Sequence, residues 1–294
     1  PTRRSCDIGV KAAADLLIQA DRSIMMVGDR VSDDGAMNKA VELAELLGLP
    51  VYGSRGAEVA FPTNHPQFLG NLSLRIEDQR SILERADLVL AIGMDAFEEL
   101  FYWGDVILSS GTKLIRIDTV SGKVGKSEPT DVGIVAHCGL AIEELINQLT
   151  PMLTPESRQA IANRVSLISN ESSESKKSFE RAVEDKWDQK PITPARMMFE
   201  LSSALPDNSI VVDDSLSNRA MFRHYFQAFE RGDIRGVRGQ SIGGGIGATM
   251  GTQCANPDRP VFGVIGDGSA MMTIQGLWTA ANDDIPCVIG RAHV

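Results

Sequence analysis

An apolar segment that ends in a glycine-flanked aspartate constrains this chain more than any other feature of the sequence. Residues 261–266 read Val-Phe-Gly-Val-Ile-Gly and are followed by Asp267, Gly268 and Ser269. The β-branched run predicts a buried parallel strand, and the spacing of apolar residues from Ile274 onward predicts an amphipathic helix after it. Such a strand-turn-helix unit places the turn at the carboxyl edge of the sheet, where open α/β folds bind ligands.

The chemistry of this turn suits a diphosphate held through a divalent metal ion. Glycine at positions 266 and 268 lets the backbone approach a ligand closely, and N–H groups at the turn suit phosphate oxygens. Asp267 adds a carboxylate, and Mg²⁺ prefers one or two carboxylates together with substrate phosphates. An Asp-Gly pair alone is ordinary turn chemistry, so this interpretation depends on the agreement of strand, turn and helix.

Length, charge and cysteine spacing exclude several classes of function. The 294 residues suffice for two domains with a core each. A formal net charge of −10 argues against nucleic acid as a partner, because no basic face is available to neutralise phosphates. No apolar stretch approaches the length of a membrane span. The four cysteines show no CxxC spacing, which predicts reduced thiols in the cytoplasm and no zinc cluster.

The pattern of strands and helices divides the chain into two α/β regions. Residues 1–150 alternate helices with apolar strands, as in a parallel sheet with right-handed crossovers. Residues 151–190 are polar and charged, which predicts a linker that carries solvated helix. Residues 191–294 are predicted to form a second α/β unit, in which Thr193 caps the first helix. We expect an α/β fold of two three-layer α/β/α domains with mostly parallel sheets.

Two groups of glycines in these regions have different interpretations. Gly28 and Gly93 end apolar strands, but no GxGxxG motif follows either of them. We interpret them as structural strand ends. A denser group extends from Arg238 to Gly247. So many glycines cost chain entropy and helix stability, and the usual compensation is close approach to a ligand or another subunit. Tight helix packing is the alternative for Gly247 and Gly251.

Taken together, these segments resemble the thiamin diphosphate (ThDP)-dependent enzymes, in particular the group of acetolactate synthase and benzoylformate decarboxylase. The resemblance is carried by the segments 241–247, 256–260, 266–269 and 277–281, and in the first region by 57–66 and 85–93. It implies a DHS-like central domain followed by a ThDP-binding pyrophosphate (PP) domain that is truncated at its C-terminal end. The first domain of the family is expected to be missing.

Carried over position by position, the resemblance assigns Asp267 to Mg²⁺ and ten further residues to the cofactor. They lie in the loop after the strand at 209–213, in the glycine-rich segment and at the glycine turn: Asp214, Ser215, Leu216, Ser217, Gln240, Ser241, Ile242, Gly266, Gly268 and Ser269. Ile242 stands where the family places an aliphatic residue that bends the cofactor. The family's second metal ligand is an asparagine, and His293 stands near its position with a softer donor than Mg²⁺ favours.

The resemblance implies a lyase or transferase that decarboxylates a 2-oxo acid, with or without carboligation. The family's activating glutamate belongs to the missing domain, which a partner subunit supplies in a homodimer or homotetramer. This chain alone should therefore be inactive. The aromatic residues 101–103 include no histidine, which weakens the resemblance to benzoylformate decarboxylase. Two alternatives stay open: a module that binds FAD or ADP in its first region, as some relatives do, and a non-catalytic fragment that only dimerises.

Overall fold

A computed structural model gives the fold of this chain as two compact units. It describes residues 3–54, 58–73, 75–95, 107–126, 128–228, 230, 232–236 and 241–292. Unit 1 comprises residues 1–56 and 60–173, and unit 2 comprises residues 57–59 and 174–294. Within the described ranges, no helix is both long and apolar enough to cross a membrane. The expected α/β class is confirmed, and the domain boundaries given above stay a prediction.

Unit 1 is organised around a parallel sheet. Its strands are β1 Ser23–Val27, β2 Val51–Gly53, β3 Phe68–Asn71, β4 Leu88–Ile92, β5 Lys113–Asp118 and β6 Val132–Val135. Its helices are α1 Arg3–Gln19, α2 Asp29–Asp33, α3 Met37–Leu47, α4 Ile76–Leu83 and α5 Cys138–Leu149. The strands pair in the order β3-β2-β1-β4-β5-β6, and every pair is parallel.

The central strands of this sheet are buried on both faces, which explains their nearly continuous apolar sequences. All five residues of β1 and of β4 are buried. Because successive side chains point to opposite faces, Met25 and Leu90 belong to one hydrophobic cluster, while Met26 and Val89 belong to another. Helices on both sides of a parallel sheet produce this pattern.

Two glycines at the carboxyl ends of β1 and β4 permit very close packing of the chain. A Cβ atom added to Gly28 would lie 2.5 Å from Cβ of Met94, and one added to Gly93 would lie 2.7 Å from the amide nitrogen of Val31. Gly93 also has φ +59°, a conformation that side chains disfavour. Protein atoms fill the space beside both glycines, in agreement with their interpretation as structural strand ends.

The charged groups at this edge of unit 1 are neutralised within the protein. Arg30 donates to Oδ2 of the buried Asp118 at 2.7 Å and to Oδ1 of Asp95 at 3.0 Å. Burial opposes the charge of Asp95, but its bonds with Lys123 and Arg30 outweigh this effect and lower its pKa. Arg30 is therefore held by carboxylates of its own chain.

The segment predicted as a linker contains one long helix, α6 Pro155–Glu184, of 30 residues. Ile168 and Ser172 are its buried residues, and most of its other side chains are exposed. Its polar sequence agrees with a solvated helix.

Unit 2 contains a second parallel sheet. Its strands are β7 Ile210–Asp214, β8 Ile234–Gly236, β9 Val261–Gly266 and β10 Val288–Ala292. Its helices are α7 Pro194–Ala204, α8 Arg219–Tyr225, α9 Gly245–Ala255, α10 Asp267–Met272 and α11 Gly276–Asn282. The strands pair in the order β10-β9-β7-β8, all parallel. The Thr193 side chain caps α7 by accepting a bond from the Arg196 amide at 3.3 Å, as predicted.

The amphipathic helix expected after the glycine turn differs from the structure in one respect. The predicted helix corresponds to α11, preceded by a separate short helix, α10, in the glycine turn, and its apolar face is exposed, with Trp278 at 72% and Leu277 at 41%. The helix packs through Gly276, where a Cβ would lie 2.8 Å from the Ile246 side chain. A small residue lets two helices approach, so the glycine side of α11 faces α9 and the large apolar side chains remain exposed.

Gly93→Ala should lower the free energy of unfolding by about 2–4 kcal/mol, because the methyl group would overlap the Val31 amide and the residue would keep a positive φ. Gly111→Ala is the matched control, since a Cβ there meets no atom within 4 Å. Urea denaturation of both variants measures the difference. Equal effects in the two variants would contradict this account of the strand end.

Candidate functional site

The loop that follows β7 and the glycine turn at residues 266–269 meet at one edge of the unit 2 sheet. Strands β7 and β9 are neighbours, with Asp214 paired in register to Ile265. The turn after β7 and the turn after β9 therefore lie side by side at the carboxyl edge. This is the edge where parallel α/β sheets bind ligands.

The side chain of Asp214 connects three elements at this edge. Asp214 is 3% exposed, and its Oδ2 accepts a hydrogen bond from the Gly245 amide at 2.9 Å. The same oxygen accepts a short bond from the hydroxyl of Ser269. Because Gly245 begins α9 and Ser269 lies in α10, one carboxylate joins the end of β7 to the starts of two helices.

The glycine-rich segment is tied to the same turn. The Gly243 amide donates to Oγ of the buried Ser269 at 2.7 Å, and the Thr273 hydroxyl donates to the Gly243 carbonyl at 2.7 Å. Gly243 has φ +100°, and a Cβ there would lie 2.8 Å from Cβ of Met272. A Cβ on Gly245 would lie 2.7 Å from Cβ of Asp214. These two glycines are needed for packing inside the site.

Asp267 and Gly268 occupy the open part of the turn. Asp267 is half-buried and begins α10, while Gly268 is exposed and a Cβ there would meet no atom within 4 Å. In the part of unit 2 that the structure describes, as in the described part of unit 1, no three His, Cys, Asp or Glu side chains are grouped to hold a metal ion. A hard cation bound by Asp267 would therefore need further oxygen ligands from a bound molecule.

A second buried carboxylate shapes the turn after β7, and the sequence analysis did not identify it. Asp213 is 1% exposed. Its Oδ1 accepts bonds from the Ser215 amide at 3.0 Å and the Ser215 hydroxyl at 2.6 Å. Its Oδ2 accepts a bond from Nε of Arg219 at 3.0 Å. Leu216, between these partners, has φ +37° and is 52% exposed. The sequence does contain a signal for this carboxylate, because the apolar strand β7 ends in two adjacent acidic residues, Asp213 and Asp214.

The other predicted cofactor residues are either exposed to solvent or lie outside the described residues. Ser217 and Ser241 are exposed, and Ile242 is 42% exposed. Gln240 lies outside the described residues, as do His293 and the aromatic residues 101–103. The structure thus brings together Asp214, Ser215, Gly266 and Ser269 around Asp267, and the roles of all these residues stay a prediction.

Comparisons with known proteins match both units to one family. The family model "Thiamine pyrophosphate enzyme, central domain" matches residues 10–145, and "Thiamine pyrophosphate enzyme, C-terminal TPP binding domain" matches residues 219–289. Thiamine pyrophosphate is another name for ThDP.

Individual relatives extend over nearly all of this chain. A probable acetolactate synthase large subunit from Methanococcus aeolicus is 30% identical over 290 residues, which cover 95% of this chain and 48% of the relative. A benzoylformate decarboxylase from Pseudomonas aeruginosa is 28% identical and covers 92% of this chain and 48% of that protein. Among solved structures, a Rhodococcus jostii RHA1 ThDP-dependent 4-hydroxybenzoylformate decarboxylase aligns with TM-score 0.76 and 28% identity, covering 97% and 50% of the two chains. This chain spans about half the length of these relatives.

The bond between Asp214 and Ser269 should be visible as energetic coupling. In a double-mutant cycle of Asp214→Ala and Ser269→Ala, we expect an interaction energy of about 1 kcal/mol or more, since both side chains belong to one buried network. Pairing Asp214→Ala with Ser203→Ala, an exposed hydroxyl on α7, should give additive effects. Urea denaturation of the single and double variants supplies the values, and additivity in the first cycle would contradict the network.

Proposed function

Since this chain belongs to the thiamin diphosphate-dependent enzyme family, we propose that it binds ThDP with Mg²⁺ at the carboxyl edge of the unit 2 sheet. The observation that carries this proposal is the half-buried carboxylate of Asp267 beside the open space at Gly268. A side chain at position 268 would occupy this space, and its absence leaves room for phosphate oxygens next to a hard metal ligand.

The residues present fit such a group. Asp267 offers one carboxylate, and the diphosphate would complete the coordination that Mg²⁺ requires. Gly266 and Gly268 would let the backbone approach the diphosphate, with Ser215 on the neighbouring turn. The Ser269 hydroxyl is already bonded to Asp214 and Gly243, so its contribution to binding would be to hold the turn in shape. The half-exposed Ile242 would contact the bound cofactor, as the resemblance implies.

We propose that the parent protein decarboxylates a 2-oxo acid, with or without carboligation. Bound ThDP supplies a nucleophilic carbon and an electron sink, and the protein supplies its position and the surrounding charge. Relatives of this chain include proteins named as synthase, decarboxylase and acetyltransferase. The residues described here are compatible with all three reactions and select none of them.

We propose that the parent enzyme is a homodimer or homotetramer and that this chain alone is inactive. The resemblance assigns the activating glutamate to a domain supplied by a partner subunit. Exposed apolar side chains near the candidate site support an additional covering surface, since soluble proteins rarely leave such groups together in water. They are Leu216, Ile242, Met271, Met272, Ile274, Leu277 and Trp278.

The described residues give no support to FAD or ADP in unit 1. The glycines that end β1 and β4 contact protein atoms, and Arg30 is paired with Asp95 and Asp118. Flavin therefore stays an implication of the resemblance. We also propose a cytoplasmic location, which the free thiols of Cys138, Cys254 and Cys287 support.

Asp267→Asn should weaken ThDP binding at least about tenfold when Mg²⁺ is present, because the only protein carboxylate proposed for the ion would be lost. Isothermal titration with ThDP, in Mg²⁺ and in EDTA, measures this change. Asp258→Asn serves as the control, because Asp258 is an exposed carboxylate preceding β9 at the opposite edge of the sheet.

Three results are expected from these titrations. The wild-type chain binds ThDP, binding depends on Mg²⁺, and only the Asp267 variant loses affinity. Binding that is unchanged in EDTA would contradict the role of the metal ion, and absence of ThDP binding would contradict the proposed function. Measurable release of carbon dioxide from benzoylformate or another 2-oxo acid by this chain alone would contradict its proposed inactivity.

A further inference from the structure

We infer that Asp213 is a positioning residue that holds the turn of residues 214–218 in the shape required for cofactor binding. This inference rests on the proposed function, because it concerns the affinity of the same site for ThDP. Asp213 is not among the residues that the resemblance assigns to the cofactor. Its side chain is almost completely buried, so it acts through its neighbours and does not touch the ligand.

The bonds of Asp213 grip the turn on both sides of Leu216. One carboxylate oxygen holds the amide and hydroxyl of Ser215, and the other holds Nε of Arg219 at 3.0 Å. Residues 215 and 219 therefore have a fixed separation, and the three residues between them must close within it. Asp213 acts as a clamp on a short loop whose ends would otherwise move independently.

The backbone conformation of Leu216 shows the effect of this clamp. Its φ of +37° is unusual for a side chain with a branched γ carbon, and 52% of the residue is exposed. Such a conformation costs about 1–3 kcal/mol and persists only where the surrounding structure determines it. The packing of an exposed side chain does not supply that constraint, whereas the bonds of Asp213 on either side of it do.

Charge explains why the clamp needs both an aspartate and an arginine. A buried carboxylate is costly unless it is paired and hydrogen-bonded. Asp213 satisfies this condition through three donors, one of which is a guanidinium whose side chain is 21% exposed. Asparagine at position 213 could still accept the bonds of Ser215 through its oxygen, but its amide group would oppose Nε–H of Arg219 with a second donor.

Pre-organisation links this geometry to affinity. A loop that is already held in its bound shape loses less conformational freedom when a ligand binds. Without the clamp, ThDP would have to order residues 214–218 at the expense of its own affinity. Removal of the outer partners that orient metal ligands typically costs about 10–100-fold in affinity or activity, and we expect an effect of this order for Asp213.

The test compares two Asp–Arg pairs of the same unit. Asp213→Asn breaks the clamp at the carboxyl edge, and Asp233→Asn breaks the bond between Asp233 and Arg259 at 3.2 Å, near the opposite edge. For each variant, ThDP affinity is measured by isothermal titration at saturating Mg²⁺, and stability is measured by urea denaturation without the cofactor. We expect Asp213→Asn to raise Kd about tenfold or more and Asp233→Asn to leave it within about twofold.

Two further variants separate positioning from a purely structural role. Arg219→Met removes one side of the clamp and keeps the bonds to Ser215, so it should raise Kd even where Asp213→Asn does not fold. Leu216→Gly removes the cost of the positive φ only while the clamp imposes that conformation, so it should stabilise the wild type and Asp233→Asn and should give a smaller gain, or none, in Asp213→Asn.

The possible results have distinct meanings. Failure of the wild-type chain to bind ThDP overturns the proposed function and this inference with it. Binding by the wild type, with Kd unchanged in both Asp213→Asn and Arg219→Met, overturns the inference alone. Lower stability with unchanged Kd would show that Asp213 serves only the fold.

Discussion

The buried carboxylate of Asp214 is the interaction on which the arrangement of unit 2 depends. It accepts bonds from the first amide of α9 and from a hydroxyl in α10, at the end of the strand between β8 and β9. It ties the start of α9 and Ser269 to the end of β7, while Gly243 of the glycine-rich segment bonds directly to Ser269. The close approach needed for this contact explains why position 245 is glycine, since a Cβ would overlap Asp214. Asp213 is a second buried carboxylate that accepts several hydrogen bonds, and it holds the turn that follows β7.

Unit 1 shows how similar elements can serve packing alone. Its sheet also ends in glycines and acidic residues, but there the glycines contact backbone and side chains, and the acidic residues bind Arg30. In unit 2, the corresponding edge leaves open space at Gly268. The proposed ligand-binding strand end of unit 2 thus differs from the structural strand ends of unit 1 in what occupies the volume beside the glycine. Sequence patterns alone do not report that volume.

Much of the fold could be predicted because its central strands are continuous apolar runs. Strands β1, β4, β5, β7 and β9 follow from such runs, and the capped start of α7 follows from Thr193 and Pro194. The short strands β3, β6 and β8 could not be predicted, because Phe68–Asn71 and Ile234–Gly236 contain glycine and polar residues and depend on pairing for their conformation. The exposed face of α11 was also unpredictable, since periodicity shows that a face is apolar without showing what covers it.

The segments that form the candidate site could be predicted from the sequence, whereas the contacts between their single side chains could not. The glycine turn at 266–269 and the loop after β7 were located from local sequence, and the structure brings them together. The bond from Ser269 to Asp214 joins residues 55 positions apart, which no local pattern encodes. Asp213 escaped notice for a related reason: only the direction of a side chain in the folded strand separates its role from that of Asp214.

Met271 and Met272 make the group of exposed apolar side chains near the candidate site sensitive to oxidation. Both thioethers are accessible, at 69% and 60% exposure, and they lie at the end of α10, one turn from Asp267. Peroxide converts an accessible methionine into a sulfoxide, which is polar and poorly suited to an apolar contact. Oxidative ageing of a preparation would therefore erode this surface before it reached the buried core of the sheet.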